Sequence, residues 1–365
     1  MTAIHQFVPS LVPRDAVGTH YLAVQSALRA AGYRSDIYAY EAKDEYKRKA
    51  APFSSFRGAA DAEPTWLLYH SSVGSPVADF VRARDEPLIV DYHNITPPEF
   101  FTRWEPATAA TLLKGRRQLA ELEPRTELGI ADSAFNAREL EDLGVARTAV
   151  VPILLDVAAL DATPPDPATL DRLNSARARG GGADWLFVGR LAPNKAQHDI
   201  VKAFAAYRRL HDDRARLHLV GGTSSHQYEQ ALRDFVDALG LGAVVDLSGP
   251  VTHSALMAYY ASADVLVVCS DHEGFCVPLL EAMHHRVPVV AYAATAVPET
   301  LGDAGLLLDV KDPCTVAAAV DRVVTDTALR AQLVDAGSAR LRDFDVDTSR
   351  RKLLDAIEPL VGAPR

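Results

Sequence analysis

Short runs of β-branched and aliphatic residues alternate along the chain with segments whose apolar residues recur every three or four positions. In the first part of the chain the short runs span residues 3–8, 35–40, 66–70, 88–92, 129–132 and 149–153. Between the first two runs, Tyr21, Val24 and Leu28 follow the helical spacing and define one apolar face. Strands that alternate with helices in this way predict a parallel sheet with helices on both faces.

The alternation stops at residues 161–182, where Pro and Gly surround one short helical stretch. It then resumes, with apolar runs at residues 185–188, 217–220, 244–247, 265–269, 288–292 and 305–308. A chain of 365 residues is long enough for two cores. We therefore predict two doubly wound, Rossmann-like α/β domains at residues 1–160 and 183–345, with a linker at 161–182. Residues 346–365 are predicted to form a closing amphipathic helix. The sequence alone does not decide whether this helix packs back on the N-terminal domain.

Composition narrows the classes of function. The chain is 48% hydrophobic and 24% charged, and no stretch approaches the ~20 apolar residues of a membrane span. The first residues lack the basic start and apolar run of a signal peptide, so we expect a cytoplasmic protein, with peripheral membrane contact left open. A net charge of -10 argues against nucleic-acid binding. The three cysteines have neither C-x-x-C spacing nor a nearby metal-ligand pattern, so no disulfide framework or zinc site is expected.

Two cations follow the first strand of the second domain, in a loop that reads Gly-Arg-Leu-Ala-Pro-Asn-Lys from Gly189 to Lys195. Ligands of doubly wound sheets bind beyond the carboxyl ends of the strands. Arg190 offers a planar fork and Lys195 a compact point charge, a combination suited to a diphosphate. Taken alone, a surface loop with two solvated cations accounts for the same residues.

A second loop, residues 270–281, follows the apolar run 265–269 and carries two carboxylates. Pro278 suits the first turn of a helix, so the amides just before it would form an anion-binding helix N-terminus. Glu273 and Glu281 could both reach that place, where carboxylates accept hydrogen bonds from sugar hydroxyls. A favourable interaction with the helix dipole explains Glu281 equally well.

Taken together, the loops read G-R-L-x-x-x-K and E-G-F-x-x-x-x-x-E, which resembles the Glu-x7-Glu signature of retaining glycosyltransferases of family 4. The likeness covers residues 184–310 and includes the stretches 248–251, 260–264 and 297–299. It implies the GT-B architecture, in which two Rossmann-like domains face each other across a cleft. It also implies transfer of a hexose from a UDP- or GDP-hexose to an acceptor hydroxyl with retention of configuration.

The resemblance assigns roles within the donor site. The diphosphate would be held by the two loop cations, the ribose by Glu281, the hexose by Glu273 with two loop amides, and the base by the residues after Gly249. The donor contacts implied by the resemblance are Arg190, Lys195, Val251, Gly274, Phe275, Cys276 and Glu281. Two departures put the fit of the sugar in question: Cys276 replaces a usual glycine, and Thr295-Ala296 replaces a Gly-Gly pair.

In the first domain, His93 follows the apolar run 88–92 and resembles the strand-end histidine that faces the donor sugar in this family. With Glu273 it is the expected catalytic residue. A reduced glycine loop, residues 15–18, makes Gly18 a further donor-contact candidate, although a helix-start glycine is an equal reading.

No cofactor is expected. Asp345-Val346-Asp347 matches D-x-D but lies outside the other motifs, so it is interpreted as a solvated turn rather than a metal site. The acceptor could be a saccharide, a lipid-linked saccharide or a small molecule. The alternatives are a nucleotide-sugar epimerase and a silent nucleotide-sugar-binding partner. A dehydrogenase is disfavoured because no G-x-G-x-x-G follows the first strand.

Overall fold

Two parallel sheets organise the computed structural model, which describes residues 2–12, 16–58 and 64–362. The N-terminal unit comprises Met1–Thr102, Pro106–Leu155 and Phe344–Arg365, and the C-terminal unit comprises Arg103–Glu105 and Asp156–Asp343. Every strand pairing within both sheets is parallel. The predicted fold class, two Rossmann-like α/β domains, is confirmed.

The N-terminal sheet has the strand order β3-β2-β1-β4-β5-β6-β7, and the C-terminal sheet has the order β10-β9-β8-β11-β12-β13. The strands are β1 (Ala3–Leu11), β2 (Ile37–Ala42), β3 (Ala51–Pro52), β4 (Thr65–Ser71), β5 (Leu88–Tyr92), β6 (Thr126–Ala131), β7 (Thr148–Val150), β8 (Asp184–Val188), β9 (Arg216–Val220), β10 (Val245–Gly249), β11 (Val265–Val268), β12 (Val289–Tyr292) and β13 (Gly305–Leu308). The order reverses between β1 and β4 in one sheet and between β8 and β11 in the other. Each sheet therefore has one topological switch point.

Most of the helices connect successive strands, and the last three follow the final strand. The helices are α1 (Ala16–Ala30), α2 (Pro76–Arg82), α3 (Glu99–Thr102), α4 (Pro106–Leu122), α5 (Ala134–Leu143), α6 (Pro167–Gly180), α7 (Gln197–Leu210), α8 (His226–Ala238), α9 (His253–Ser262), α10 (Val277–His284), α11 (Val297–Leu301), α12 (Pro313–Thr325), α13 (Thr327–Arg340) and α14 (Val346–Val361). Among the residues that the structure describes, no helix is both long enough and apolar enough to cross a bilayer.

The first strand continues past the predicted end at Val8, through Pro9, to Leu11. Proline lacks a backbone N–H and is tolerated where one side of the strand is unpaired. Here the pairing of β1 with β4 ends at Phe7, and beyond that point β1 pairs only with β2, skipping Pro9. The strand is therefore an edge at this position, which is why it accommodates the proline.

The closing helix α14 belongs to the N-terminal unit. Its apolar face buries Leu353, Ile357 and Val361 in the same core cluster as Ile4 of β1 and Leu68 of β4. The Asp345-Val346-Asp347 motif caps this helix, because the Asp345 side chain accepts hydrogen bonds from the backbone N–H groups of Asp347 and Thr348. Capping accounts for the first aspartate of the D-x-D pattern.

Helix α6 occupies most of the stretch predicted to be a linker and belongs to the C-terminal unit. Asp166 caps its N-terminus and Pro167 stands in its first turn, both ordinary helix-start signals. Leu173 is its one fully buried hydrophobic side chain. A helix that buries so little has no apolar periodicity, which explains why the pattern resembled a linker.

Candidate active site

The two loops that carry the family motifs follow β8 and β11, the pair of strands at the switch point of the C-terminal sheet. The β8 strand pairs directly with β11 in parallel, so their carboxyl ends lie side by side. A ligand crevice is expected outside such a pair of strand ends. The adjacency of β8 and β11 in the sheet therefore brings together loops that are about eighty residues apart in the chain.

The first loop leaves β8 at Gly189 and enters α7 through a 3-10 turn at Pro193–Lys195. Arg190 is exposed at its tip. The side-chain amide of Gln197 donates to the backbone carbonyl of Arg190 at 2.9 Å, which holds the tip against the start of α7. Within the part of the chain that the structure describes, no carboxylate forms an ion pair with Arg190. Its guanidinium is thus available to an anionic ligand.

Asn194 joins the two loops. Its buried side-chain amide donates to the His272 carbonyl at 3.1 Å, and its own carbonyl accepts from the Asp271 N–H at 2.8 Å. These are hydrogen bonds between buried polar groups, whose loss would leave unpaired donors and acceptors. The cation loop and the carboxylate loop consequently form one connected unit.

Lys195 and Glu273 form an ion pair at the point where the loops meet. The Lys195 ammonium lies 2.5 Å from a Glu273 carboxylate oxygen, and the two side chains are 21% and 8% exposed. A carboxylate that is this buried needs a partner charge, and Lys195 supplies it. An anionic ligand that approaches Lys195 therefore meets an ammonium already held in place, with a carboxylate beside it.

Thr295 holds the backbone on both sides of Glu273. Its hydroxyl accepts from the Glu273 N–H at 2.8 Å and donates to the Glu273 carbonyl at 2.8 Å. Thr300 adds a second tie, since its hydroxyl donates to the Phe275 carbonyl at 2.7 Å. Thr295 stands where the family usually has glycine, so this departure from the pattern replaces a small residue by one that orients the Glu273 loop.

Backbone strain is concentrated in these loops. Five described residues other than glycine have positive φ, and three of them are Ala196 (49°), Cys276 (72°) and Thr295 (49°), all in or next to the two loops. A fourth, Asn94 (68°), follows β5 directly after His93. Strained residues tend to occur at functional sites, where the surrounding structure over-determines them. Their distribution is independent support for the site.

Helix α10 begins after Cys276, with Pro278 in its first turn as predicted. The first N–H groups of a helix have no partner within the helix, so the N-terminus of α10 attracts negative charge. Phe275 and Cys276 are buried beside it, and Gly274 is partly exposed. The arrangement places amide donors next to the Lys195–Glu273 pair.

A glycine at position 276 should fit this backbone better than alanine, although both substitutions remove the thiol. The left-handed conformation costs a non-glycine residue about 1–2 kcal/mol. We expect Cys276→Gly to be more stable than Cys276→Ala by about 1 kcal/mol in urea unfolding at neutral pH. The matched control is Ala282 in α10, where Ala→Gly should lower stability instead. Equal stability of the two Cys276 variants would contradict the strain.

Glu281 lies in α10 and accepts a hydrogen bond from the Tyr260 hydroxyl at 2.7 Å. Burial raises the pKa of Glu281, and the Tyr260 hydrogen bond opposes that rise. Tyr260 itself is buried in α9. The tyrosine thus both orients the carboxylate and favours its ionised form, which is the form that accepts hydrogen bonds from two neighbouring hydroxyls.

Gly249 ends β10 with a φ of 69°, and Val251 follows it, partly exposed, just before the Thr252 cap of α9.

On the adjacent strand, the backbone after β9 passes close to the first loop. A Cβ atom on Gly221 would lie 2.2 Å from the Gly189 carbonyl oxygen. This close approach requires glycine and keeps the β8 and β9 strand ends together.

His93 follows β5 in the N-terminal unit, and both of its ring nitrogens have partners. Its Nδ1 lies 3.1 Å from both carboxylate oxygens of Asp132, and its Nε2 lies 3.0 Å from His70 Nδ1. The side chain has no exposed surface, whereas the whole residue is 8% exposed, so its accessible atoms belong to the backbone. The ring is held inside the unit by this network.

The charges of this network are set by burial and by neighbouring rings. Burial lowers the pKa of His70 to about 4, so its ring is neutral near pH 7. Although burial works against ionisation, His93, His20 and His70 together hold the pKa of Asp91 well below its usual value. Burial raises the pKa of Asp132, against the lowering effect of His93. Asp91 therefore remains ionised and carries the negative charge of the cluster.

Comparison with known proteins decides the family. The family model described as glycosyl transferases group 1 matches residues 174–340. A D-inositol 3-phosphate glycosyltransferase of Kineococcus radiotolerans is 31% identical over 336 residues, which cover 83% of this chain and 74% of that protein. The chain belongs to the group 1 glycosyltransferases. Further proteins of the same name match over shorter stretches, from 37% to 60% of their own length.

Solved structures show that this group 1 glycosyltransferase has the fold of GT-B enzymes. Sucrose-phosphate synthase of Thermosynechococcus elongatus matches with a TM-score of 0.74 at 18% identity, over 100% of both chains. Anabaena HepE, solved in complex with UDP-glucose, matches with a TM-score of 0.75 at 18% identity, over 98% of this chain and 100% of that one. The resemblance to glycosyltransferases of the GT-B fold, seen in the sequence, is confirmed.

A buried cluster in the N-terminal unit of the glycosyltransferase has the composition of a metal site. His20, His70, Asp91 and His93 each offer a ligand atom, all within 4.8 Å of one another. However, the Leu154 N–H donates to His20 Nδ1 at 2.9 Å, which leaves the proton of the neutral ring on Nε2. That nitrogen donates to Asp91 at 3.0 Å and has no lone pair for a cation.

The His70–His93 contact has the geometry of a hydrogen bond. The two rings are nearly coplanar, at 6°, with centroids 5.3 Å apart and facing nitrogens 3.0 Å apart. The nitrogens thus lie on the line between the ring centres, as in an end-on N–H···N hydrogen bond. His70 Nε2 in turn lies 2.8 Å from the Gln6 side-chain oxygen. This chain of contacts positions His93.

The sequence-predicted site residues are distributed over both units. Glu273, Lys195, Gly274, Phe275, Cys276 and Glu281 belong to one connected pair of loops with α10, while Arg190 stands at the exposed tip of the first loop. Gly18 lies in the first turn of α1, where a helix-start glycine belongs. Asp15, from the same glycine loop, is outside the described residues.

Sequence reasoning missed Thr295, Tyr260 as a partner of Glu281, and the cluster around His93. Thr295 carried one available signal, its place in the expected Gly-Gly pair. The cluster around His93 carried none, because His20, His70 and Asp132 lie in or directly after separate elements that only the sheet order brings together.

Proposed function

We propose that this glycosyltransferase transfers a hexose from a UDP- or GDP-hexose to an acceptor hydroxyl with retention of configuration, in the biosynthesis of a glycan, a glycolipid or a small natural product. The observation that carries the proposal is the Lys195–Glu273 pair, with Arg190 nearby in the loop, at the switch point of the C-terminal sheet. The Glu-x7-Glu spacing supports retention. The UDP-glucose bound to HepE makes UDP-glucose the first donor to test.

In this proposal the donor diphosphate forms an ion pair with Arg190. Lys195 interacts both with the diphosphate and with Glu273. As the bond to the sugar breaks, negative charge develops on the diphosphate, where the two cations and the N-terminus of α10 stabilise it. Preorganised donors of this kind often contribute the largest part of catalysis. We propose that the step proceeds without a metal ion, since these groups supply the positive charge that a metal would supply.

The Lys195–Glu273 pair also links two parts of the donor. Once the diphosphate interacts with Lys195, the Glu273 carboxylate can accept hydrogen bonds from the hexose hydroxyls. Glu281 accepts hydrogen bonds from the ribose, with Tyr260 orienting it. Val251 borders the place proposed for the base. We propose that His93 contributes to catalysis through its exposed backbone, because both nitrogens of its ring are occupied by Asp132 and His70.

The acceptor is proposed to be a polyol or saccharide. The curated relatives carry the name D-inositol 3-phosphate glycosyltransferase, so inositol phosphates belong in the first acceptor panel, beside monosaccharides and lipid-linked saccharides. Peripheral membrane contact remains part of the proposal only for a lipid-linked acceptor.

The test is an NMR assay of UDP-glucose with and without the acceptor panel. We expect UDP release and a new anomeric proton signal with the configuration of the donor, both dependent on an acceptor. Conversion of UDP-glucose to another UDP-hexose without acceptor would identify an epimerase. No conversion of UDP- or GDP-hexoses by a folded protein, with any acceptor, would favour the silent partner.

Ribose recognition gives a pH-dependent prediction. Tyr260→Phe removes the hydrogen bond that lowers the pKa of Glu281, so that pKa rises further. UDP affinity requires the ionised carboxylate and falls as the pH drops through this pKa. In the variant the fall should therefore begin at a higher pH than in the wild type. Titration of UDP between pH 5 and 8 by calorimetry measures the shift.

The matched control is Tyr259→Phe. The Tyr259 hydroxyl donates to Asp246 at 3.0 Å, at the opposite end of the strands, so its loss should leave the pH dependence of UDP binding unchanged. Superimposable profiles for Tyr260→Phe and the wild type would refute the role of Glu281.

A further inference from the structure

Lys311 lies at the carboxyl edge of the C-terminal sheet, shortly after β13, and outside the motifs of the family. Its ammonium is 2.6 Å from an Asp271 carboxylate oxygen and 2.7 Å from an Asp199 carboxylate oxygen. It also lies 3.4 Å from the Cys269 carbonyl and 5.3 Å from the centre of the Tyr292 ring. Three separate segments of the unit, the start of α7, the segment after β11 and the end of β12, therefore converge on one side chain.

Two of these segments belong to the donor loops or continue directly from them. Asp199 is in the first turn of α7, which continues directly from the Lys195 loop. Asp271 is in the loop after β11, just before Glu273. Lys311 thus connects α7, which follows Lys195 in the chain, to the loop segment that precedes Glu273. The bridge lies beside the Asn194 hydrogen bonds that connect the same loops.

The charges make this bridge necessary. Asp199 is 13% exposed and Asp271 33% exposed, and both approach the same ammonium. Without that ammonium, two neighbouring carboxylates would repel each other in a partly desolvated place. Burial opposes the charge of Lys311, but its hydrogen bonds to Asp199 and Asp271 raise its pKa overall. The lysine consequently stays charged near neutral pH.

We propose that Lys311 is a positioning residue of the donor site, which sets the distance between the Lys195 loop and the Glu273 loop. The inference rests on the proposed function of these loops as the nucleotide-sugar site. Lys311 acts on the donor through Asp199 and Asp271 rather than by direct contact. Displacements of about 1 Å in a catalytic arrangement can lower rates up to about a hundredfold.

The experiment compares Lys311→Met with Lys311→Arg and Lys202→Met. Methionine keeps much of the side-chain stem over Tyr292 and removes the charge, whereas arginine keeps a charge that can reach both carboxylates. Lys202 is the matched control: it is exposed and pairs with Asp199 at 2.9 Å. Loss of Lys202 changes the net charge in the same way but leaves the Lys311 bridge intact.

We expect Lys311→Met to lower kcat/KM for the nucleotide sugar between about tenfold and a hundredfold. Lys311→Arg should recover most of this loss, and Lys202→Met should behave as the wild type. Adding Asp271→Asn to Lys311→Met removes the repulsion, so it should restore the melting temperature but not kcat/KM. This second variant also provides a folded protein if Lys311→Met alone is unstable.

Three outcomes separate the explanations. A wild type without nucleotide-sugar turnover overturns the proposed function and this inference together. An active wild type with unchanged kcat/KM in Lys311→Met overturns the positioning role alone. Recovery of kcat/KM together with stability in Lys311→Met/Asp271→Asn also overturns it, since the lysine would then serve only to neutralise charge.

Discussion

Replacing Arg190 and Lys195 together by alanine should lower kcat/KM for the nucleotide sugar by about a thousandfold. Each cation is expected to form hydrogen bonds to the ionised diphosphate, worth about 1.5–3 kcal/mol each. Their combined loss falls on both donor binding and the stabilisation of the departing diphosphate. Steady-state kinetics and UDP titration by calorimetry measure the two parts separately.

The control for this variant is Lys202→Ala with Arg209→Ala. Both residues are exposed on α7, and the change in net charge is the same. The control should retain wild-type kinetics. Because Lys195 is the partner of the buried Glu273, the Arg190/Lys195 variant should also unfold at somewhat lower urea concentration. Wild-type turnover in a folded Arg190/Lys195 variant would refute the diphosphate site.

The second large effect is expected from Glu273→Gln, which should separate binding from transfer. The substitution removes the internal partner of Lys195, so the ammonium becomes fully available to the diphosphate. UDP should bind as tightly as to the wild type, or more tightly. Transfer should fall by about a hundredfold, because the neutral amide is a weaker acceptor for the sugar hydroxyls in the transition state.

Glu358→Gln, an exposed carboxylate on α14 outside the family motifs, serves as the control and should leave both quantities unchanged. Calorimetry gives the UDP affinity, and the NMR assay gives the rate of transfer. A loss of UDP binding that parallels the loss of transfer in Glu273→Gln would show that Glu273 supports the fold of the loop rather than the sugar.

The sequence predicted the sheets well because most of their strands are short, largely apolar runs. Leu88–Tyr92 and Gly305–Leu308 were predicted with the observed bounds, since continuous apolar runs end there at turns. The short strand Ala51–Pro52 was missed because two residues, one of them proline, form no pattern. Helix α6 was predicted only as a short helical stretch within a linker, because it buries almost no apolar side chain.

The core of the candidate site was also accessible from the sequence. Lys195 and Glu273 lie in the loops that follow two neighbouring strands of one domain, where spacing and topology suffice to bring them together. The partners of these residues were not accessible. Thr295 and Lys311 act through hydrogen bonds to loops that precede them in the chain, and such contacts depend on the register of β12 and β13 rather than on any local pattern.

His93 illustrates a different limit. Its place after β5 was predicted, but a histidine at a strand end can point to a ligand or inward. The structure turns the ring inward, toward Asp132 and His70, because both lie on or directly after the neighbouring strands β6 and β4. Which of the two directions a side chain takes is decided by neighbours that are distant in sequence.

A thermal-shift titration with UDP, GDP, ADP and dTDP tests the central claim, that a nucleoside diphosphate binds at the switch point of the C-terminal sheet. A ligand that binds the folded state raises its melting temperature with concentration. The account predicts that at least one of these diphosphates stabilises the wild type and the Lys202/Arg209 control but not the Arg190/Lys195 variant. No stabilisation of the wild type, or equal stabilisation of the Arg190/Lys195 variant, would contradict it.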